Sequence, residues 1–543
     1  MSKRVNGTLA ALGIAALGAC AGDDAKCFLK DGDCWGFYGD SITAFGVYPR
    51  VVERVFRHFH PDAKVTFVNN GQGGRQAAQA TAAGAGVGNP SVVSVMLGMN
   101  DAINTEWIKG MPMEPVLERY RANMTKLVHD LKADKREVLL MTPTLTDETF
   151  SSTVFRLEGT TELLRRMGKV CEEVAKAEDV PCLPMQDDFE RFQDSLPRRE
   201  QCIRFDGVHP TAAGLYQMAR VLWTRLNLAA PLGSGKRSLS APEPQLPVEA
   251  SLERRLLPQG STRLDFLFSS KTPLTAKLTW SANGARGSED IQIGGRTPWS
   301  PKLPASAFPK LAGEASDLVI DLESGGRRAV FFVDISRDAL LHMNGGRLSG
   351  AIDSPEGARV CDYLFKKEGS TLYFEASVKD AQLVCDRGAT AWPWSGDSLT
   401  LYLDLRPTPR FGGQALERDV HQVWFQPQDA HGFSPGFRPW YGKGVEHVAC
   451  PFGEKTADGY KVGLKLDGWR NLQERFDVTS MDFVGFDMAV VDCDAPGGKA
   501  TWTSLRKTQL QTFLYASCLT VIDLNGKLEG DSLLVANVFP ARP

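Results

Sequence analysis

A chain of 543 residues is far too long for one hydrophobic core, and its length predicts about three domains of roughly 150–200 residues each. Its hydrophobic content of 43% and charged content of 23% are ordinary for soluble globular protein. The formal net charge of -3, with no basic stripe, argues against a nucleic-acid partner, and beyond the N-terminus no apolar run is long enough to span a bilayer.

The first residues read as a targeting segment. Lys3 and Arg4 precede a short apolar stretch, 9–19, that is too short for a spanning helix and ends at Cys20. The run Leu17-Gly18-Ala19-Cys20 resembles a bacterial lipobox, in which the cysteine is lipidated and becomes the new N-terminus. Residues 1–20 are thus expected to be a lipoprotein-type signal peptide, with ordinary signal-peptide cleavage nearby as the other reading. Both predict export: to the cell envelope (periplasm, outer membrane or cell surface) as a lipid-anchored protein, or into the medium. There are 11 cysteines, and an exported protein can pair them. Cys27 with Cys34, and Cys361 with Cys385, are close enough in sequence to be bridged, and the connectivity stays open. No Cys-x-x-Cys or Cys/His cluster suggests zinc, and no metal or cofactor is expected.

Residues 27–229 alternate strand and helix signals, which predicts a mostly parallel sheet covered on both faces. The apolar run 35–38 ends in Gly39-Asp40-Ser41, so a buried strand delivers a serine to its carboxyl end. The strand candidate 63–68 is followed by Asn69-Asn70-Gly71-Gln72-Gly73-Gly74. The apolar run 92–97 is followed by Gly98-Met99-Asn100-Asp101. Helical spacing marks 116–131, behind Pro115, and 158–177; 137–141 and 180–185 read as strands. A helix over 212–226 is entered from His209-Pro210-Thr211, with Thr211 as N-cap.

Residues 230–250 are rich in Pro, Gly and Ser and read as a linker. Short alternating runs at 264–268, 276–280, 318–322 and 328–333 predict a small β-sandwich over 251–343, without a chemically useful cluster. Residues 344–543 are again β-rich but aromatic, with strands expected at 371–378, 398–404, 423–426, 460–466 and 481–491.

A serine is a weak nucleophile until a base takes its proton. Asp206, three positions before His209 in a turn closed by Pro210, can accept from one ring nitrogen and leave the other to receive that proton. An acyl-transfer intermediate also needs oxyanion donors, for which the N–H groups of Ser41 and Gly74 and the Asn100 amide qualify. Taken singly, Asp-x-x-His is commonly a cap beside a surface histidine, and Gly74 and Asn100 are common turn residues. In combination, Gly39-Asp40-Ser41-Ile42, Asn69-x-Gly71-x-x-Gly74, Gly98-Met99-Asn100-Asp101 and Asp206-x-x-His209-Pro210 resemble the four blocks of the SGNH (GDSL) hydrolase family, over about residues 34–226. The resemblance implies a flavodoxin-like α/β/α domain and a metal-free serine esterase. In it Ser41 is the nucleophile, His209 the base and then acid, Asp206 the orienter, and Ser41, Gly74 and Asn100 the oxyanion hole. Arg75 stands where many members carry Asp or His, a departure that bears on substrate choice. No Gly-x-Ser-x-Gly elbow is present here, which disfavours the α/β-hydrolase fold.

In the C-terminal region, Trp394-Ser395-Gly396-Asp397-Ser398-Leu399-Thr400-Leu401-Tyr402-Leu403-Asp404 and 484–492 resemble strands of family-9-like carbohydrate-binding modules, with Thr400 where the usual pattern has Glu. Such modules are β-sandwiches that grip sugars on aromatic faces. Trp392, Trp394 and Trp502 are the candidate platforms, against core packing. Asp397, Asp404, Asp487 and Asp492 could hold a structural cation, against the solvated strand-end carboxylates that are more usual. The expectation is an exported esterase that removes acyl groups, acetyl above all, from a polysaccharide or oligosaccharide. The alternatives are a lysophospholipase, thioesterase or lipase of the same family, and a surface carbohydrate-binding protein whose hydrolase domain is passive.

Overall fold

The computed structural model describes residues 26–539 apart from 105–106, 150–156, 196–201, 204–205, 242–244, 254–255, 258–262, 312–313, 385–395, 406–419, 427–435, 442–448, 470–474, 494, 496–499, 506–519 and 527. Strands β1 (Cys34–Gly39), β2 (Thr66–Asn69), β3 (Val92–Met96), β4 (Glu137–Met141) and β5 (Cys182–Leu183) form one parallel sheet in the order β2-β1-β3-β4-β5. Every residue of β3 is buried, which is why its sequence runs apolar without alternation. The helices are α1 (Ser41–Ala44), α2 (Val47–Phe59), α3 (Ala82–Ala85), α4 (Met99–Ile103), α5 (Glu114–Ala133), α6 (Thr160–Ala177), α7 (Met185–Ser195) and α8 (Ala212–Arg225). Helix α2 packs beside α8, and α5 packs beside α3 and α6, so the sheet lies between two helical layers. This is the α/β/α arrangement expected. The chain leaves β1 for β2 on one side and returns to β3 on the other, so the strand order reverses at β1/β3. In open α/β sheets ligands bind outside the carboxyl ends of the strands at that reversal.

Helix α2 was not among the expected elements, yet it joins the first unit to the second. Val51, Val52, Val55 and Phe56 are buried in the core of the first unit. On another side of the helix, Arg50 and Arg54 meet Asp317 at 3.7 and 3.1 Å, and Arg50 meets Asp334 at 3.4 Å. Those aspartates face each other across strands Ala315–Ser324 and Arg327–His342. Val319, Val330, Phe332 and Phe539 belong to the same apolar cluster as Tyr216 and Trp223 of α8. The Tyr216 hydroxyl donates to Val330 O at 2.7 Å.

The stretch expected as a linker is held against the first unit. Cys27 N–H donates to Pro231 O, Gly233 N–H to Leu29 O and Ser240 N–H to Arg225 O, all within 2.7–2.9 Å. Buried Arg237 pairs with Asp33 at 2.9 Å and Glu137 at 2.6 Å. Among its described residues no helix or strand forms before Glu249, where the strand Glu249–Leu252 begins, and these contacts fix its path.

Beyond it the architecture is antiparallel sheet on sheet. In the middle region, strands Leu274–Ala282, Ala285–Ile293, Ala315–Ser324 and Arg327–His342 pack on the three-stranded sheet that contains Phe266–Ser269, around Phe266, Phe268, Leu278, Ile320 and Phe331. In the C-terminal region, a sheet containing Thr371–Lys379 and Gly459–Leu466 covers one containing Ser398–Asp404, Val420–Gln426 and Phe483–Asp492. The last strand, Ser532–Phe539, returns to pair with Phe332–Ala339, and its Leu534 and Ala536 enter the middle core. Arg327–His342 also continues into the third region, pairing at 340–342 with Thr520–Asp523.

Of the cysteine pairs suggested by sequence spacing, Cys27 and Cys34 are not bridged, and the second pair falls partly outside the described residues. Cys27, Cys34 and Cys361 are free thiols, and Cys385 lies outside the described residues. The Cys27 sulfur accepts from Leu29 N–H at 3.4 Å, whereas the Cys34 thiol faces Gly88 O at 3.6 Å.

Candidate active site

The first three blocks follow the carboxyl ends of β1, β2 and β3. Ser41 opens α1, whose N-cap is Asp40: its carboxylate accepts from Ile42 N–H at 3.0 Å. The second block lies hard against the first. A Cβ at Gly71 would come within 2.3 Å of Ala44 N, so only glycine permits this approach. The fourth block sits on a loop closed by an Ile203–Pro210 bridge, with Thr211 Oγ1 capping α8 by accepting from Gly214 N–H at 3.2 Å. Within this loop Gly207 has φ +73°, and a Cβ there would meet Leu157 Cδ1 at 2.3 Å. Its carbonyl accepts from Asp147 N–H at 2.8 Å.

This folding brings residues 168 apart in sequence together: Ser41 Oγ is 2.8 Å from His209 Nε2. His209 Nδ1 is 2.6 Å from Asp206 Oδ2, and Asp206 Oδ1 accepts from the N–H groups of Val208 and His209 at 2.9 Å. Both His209 and Asp206 are buried. With Nδ1–H donating to the carboxylate, Nε2 is left as acceptor for the serine proton. The Phe45 ring lies 5.1 Å from the imidazole, a neighbour that no motif signalled.

Asn100 is buried beside the second block. Its Nδ2 donates to Arg75 O at 3.2 Å, and its Oδ1 accepts from Asn104 Nδ2 at 2.8 Å, which sets the orientation of the amide. Gly74 immediately precedes Arg75, the residue whose carbonyl the Asn100 amide holds. Arg75 itself turns inward. Its guanidinium donates to Gly39 O at 3.0 Å and Asn70 O at 2.7 Å and lies 4.2 Å from the centre of the Tyr38 ring. It ties the ends of β1 and β2 together and, buried there, is a structural staple of the two loops.

Two further carboxylates lie beneath these loops, and the sequence motifs gave no role to either. Burial pushes Asp40 up to about 6, against the pull of Ile42 N–H and His209. Burial likewise pushes Asp101 up to about 6, although both of its oxygens accept from Ala77 N–H. Asp101 anchors the turn after Gln76 and so supports the Gly74–Arg75 segment.

Away from this site, Trp502 is 37% exposed and packs edge-on against buried Trp424, with ring centres 5.7 Å apart. Trp392, Trp394 and Cys20 lie outside the described residues. Of the four aspartates named from sequence, Asp397 and Asp492 come together with Asp380, their oxygens within 4.8 Å of one another. Asp397 already accepts from Val384 N–H and Cys493 N–H.

Residues 37–215 match the family described as GDSL-like Lipase/Acylhydrolase. Among solved structures, the chain is similar to LAE5, an α/β hydrolase from the metagenome of Lake Arreo, Spain, with TM-score 0.32, 19% identity, and coverage of 37% of this chain and 99% of that one. It is also similar to Axe2, an acetylxylan esterase from Geobacillus stearothermophilus, with TM-score 0.31, 22% identity, and coverage of 36% of this chain and 95% of that one. No curated protein matches the chain.

Proposed function

Because residues 37–215 are a GDSL-like lipase/acylhydrolase domain, we propose that this protein is an exported serine esterase that removes acyl groups, chiefly acetyl, from a polysaccharide or oligosaccharide. The observation that carries the catalytic reading is the unbroken chain from Ser41 Oγ through His209 to Asp206, at 2.8 and 2.6 Å.

His209 takes the Ser41 proton as Oγ attacks the ester carbonyl, and Asp206 holds the imidazolium that forms. The oxyanion is received by the N–H groups of Ser41 and Gly74 and by the N–H of Asn100 not used on Arg75 O. His209 then gives its proton to the departing sugar hydroxyl. Water, activated by the same imidazole, hydrolyses the acyl-serine and restores the enzyme.

The carbohydrate substrate rests on two further readings. The Cys20 lipobox points to an envelope location, where acylated polymers are met. The motif around Trp394 to Asp404 points to a sugar-binding module, with Trp502 as its candidate platform among the described residues. A tethered module raises the local concentration of substrate at the esterase without altering its chemistry. The test is acetate release from a panel of acetylated plant and algal polysaccharides, with 4-nitrophenyl acetate as control. Release from one polymer supports the full reading. Hydrolysis of the small ester alone keeps the catalytic roles and removes the carbohydrate assignment.

A further inference from the structure

We propose that Cys171 and Cys182 form a disulfide that latches the edge strand of the catalytic sheet to helix α6. Their sulfurs lie 4.0 Å apart, in contact but unbonded, and among the described residues no other two cysteine sulfurs meet. Cys171 is buried on α6, where its thiol also faces Met141 O at 3.6 Å. Cys182 is half-buried on β5, open to a small thiol reagent. Bringing the sulfurs to a bonded separation of about 2.05 Å requires a movement of roughly 2 Å, within reach of a χ1 adjustment at the half-exposed residue.

The position gives the bond a purpose. β5 is two residues long, registered on β4 only at Leu140 and Met141, and among the described residues it has no neighbour on its outer side. The chain runs from it through α7 towards Asp206 and His209. A strand this short contributes few ladder hydrogen bonds, so the edge is the weakest part of the sheet, and it precedes the loop carrying the base. Gln186, just after β5, already ties α7 to Pro143 O and Leu164 O at 3.1 and 3.0 Å, and the disulfide adds a covalent tie one turn earlier.

The oxidant is a disulfide donor, either a small glutathione-type disulfide or a dithiol oxidase. The Cys182 thiolate attacks the donor and releases one thiol, leaving a mixed disulfide. Cys171 then attacks the Cys182 sulfur, forming the Sγ–Sγ bond and releasing the second thiol. Two electrons pass to the donor, and the two cysteine protons end on the released thiols. Persistence of the bond in the cell rests on the export reading; its formation in vitro does not.

The test uses the purified full chain, reduced, then equilibrated with excess oxidised glutathione, alkylated, digested and analysed by mass spectrometry. The expected result is a cross-linked peptide joining residues 171 and 182, a rise in thermal midpoint of roughly 5 °C, and unchanged turnover of 4-nitrophenyl acetate. Cys182→Ser should show neither the cross-link nor the oxidation-dependent rise. Recovery of both residues alkylated, or of glutathione left on Cys182, would overturn the proposal. Rapid alkylation in intact cells separates the two readings: reduced thiols there beside an efficient cross-link in vitro would refute export while leaving the latch intact.

Discussion

Two sets of buried carboxylates lie on different sides of the first unit, and they handle charge differently. At the carboxyl ends of β1 and β3, Asp206 and Asp40 meet backbone N–H groups and one imidazole. Under α2, Asp317 and Asp334 meet the guanidinium groups of Arg50 and Arg54. In the proposed mechanism the first arrangement holds negative charge beside a ring that becomes positive for an instant. The second sets fixed cations against the carboxylates and fixes one unit on another, although burial still pushes Asp334 up to about 6 against the pull of Arg50. A permanent cation at the first site would hold Asp206 away from His209, whereas N–H dipoles orient the carboxylate and leave its charge available. Burial alone therefore does not mark a reactive carboxylate; the nature of its partner does.

The largest effects should come from breaking the reactive side. Ser41→Ala is expected to lower turnover of 4-nitrophenyl acetate by roughly 10⁵-fold with an unchanged circular dichroism spectrum. Asp206→Asn should cost roughly 10⁴-fold, because the amide no longer fixes the imidazole tautomer. Turnover within tenfold of the parent for Ser41→Ala would remove the catalytic assignment.

Breaking the docking side should instead damage stability and spare chemistry. Phe332 is buried beside Tyr216 and Phe539, whose rings stack on each other, and Phe332→Ala is expected to lower unfolding free energy by about 3–5 kcal/mol. Arg50→Ala leaves Asp317 and Asp334 opposed without one of their cations. Since the Arg50 side chain is 28% exposed, water softens the loss to about 2 kcal/mol. Urea unfolding followed by fluorescence gives both values. If both variants unfold at the parental midpoint, the middle region is a tethered spacer and not a fixed wall.

The contrast also explains what could be read from the chain beforehand. The four candidate blocks are local: Asp206 lies three residues from His209, and Ser41, Gly74 and Asn100 each follow a strand whose apolar run is visible. The α/β/α fold was legible for the same reason. The α2 interface was not, because Arg50 and Asp334 are 284 positions apart and neither carries a pattern. A signal for the helix itself existed in Val47, Val51, Val52, Val55 and Phe56, whose spacing marks an apolar stripe. The return of Ser532–Phe539 to the middle core was invisible, since strand pairing across such a distance leaves no local trace. From sequence, Arg75 is only a departure from the Asp or His of many family members, because sequence does not report that it points at Gly39 O and Asn70 O.

Asp40 sharpens the comparison with a pH dependence. Its rise from an ordinary 3.8 to about 6 means that the folded state prefers the protonated form, so ionisation costs about 3 kcal/mol of stability at about 1.4 kcal/mol per unit. That contribution is absent below about pH 4 and complete above about pH 6, so Asp40 makes the fold less stable as pH rises through this window. Asp40→Asn keeps an N-cap acceptor and removes the charge. It should raise the urea midpoint at pH 8 and leave it nearly unchanged at pH 4. Turnover should fall roughly tenfold, because the imidazolium loses a negative neighbour. Equal stabilisation at both pH values would show that the gain is not electrostatic.

A smaller effect is expected in the C-terminal region. Trp502 is partly exposed and rests edge-on against Trp424, a contact worth about 0.5–1.5 kcal/mol. Trp502→Ala should therefore lower stability by about 1 kcal/mol and leave hydrolysis of 4-nitrophenyl acetate unaltered. The deciding measurement is KM on the acetylated polymer that gives acetate. A sugar platform raises KM severalfold on removal while kcat holds, because the module acts by concentrating substrate and makes no contact with the reacting ester. A purely structural tryptophan leaves KM alone and moves only the unfolding curve. The two outcomes differ because a sugar would cover the exposed part of the ring, and not the part packed on Trp424.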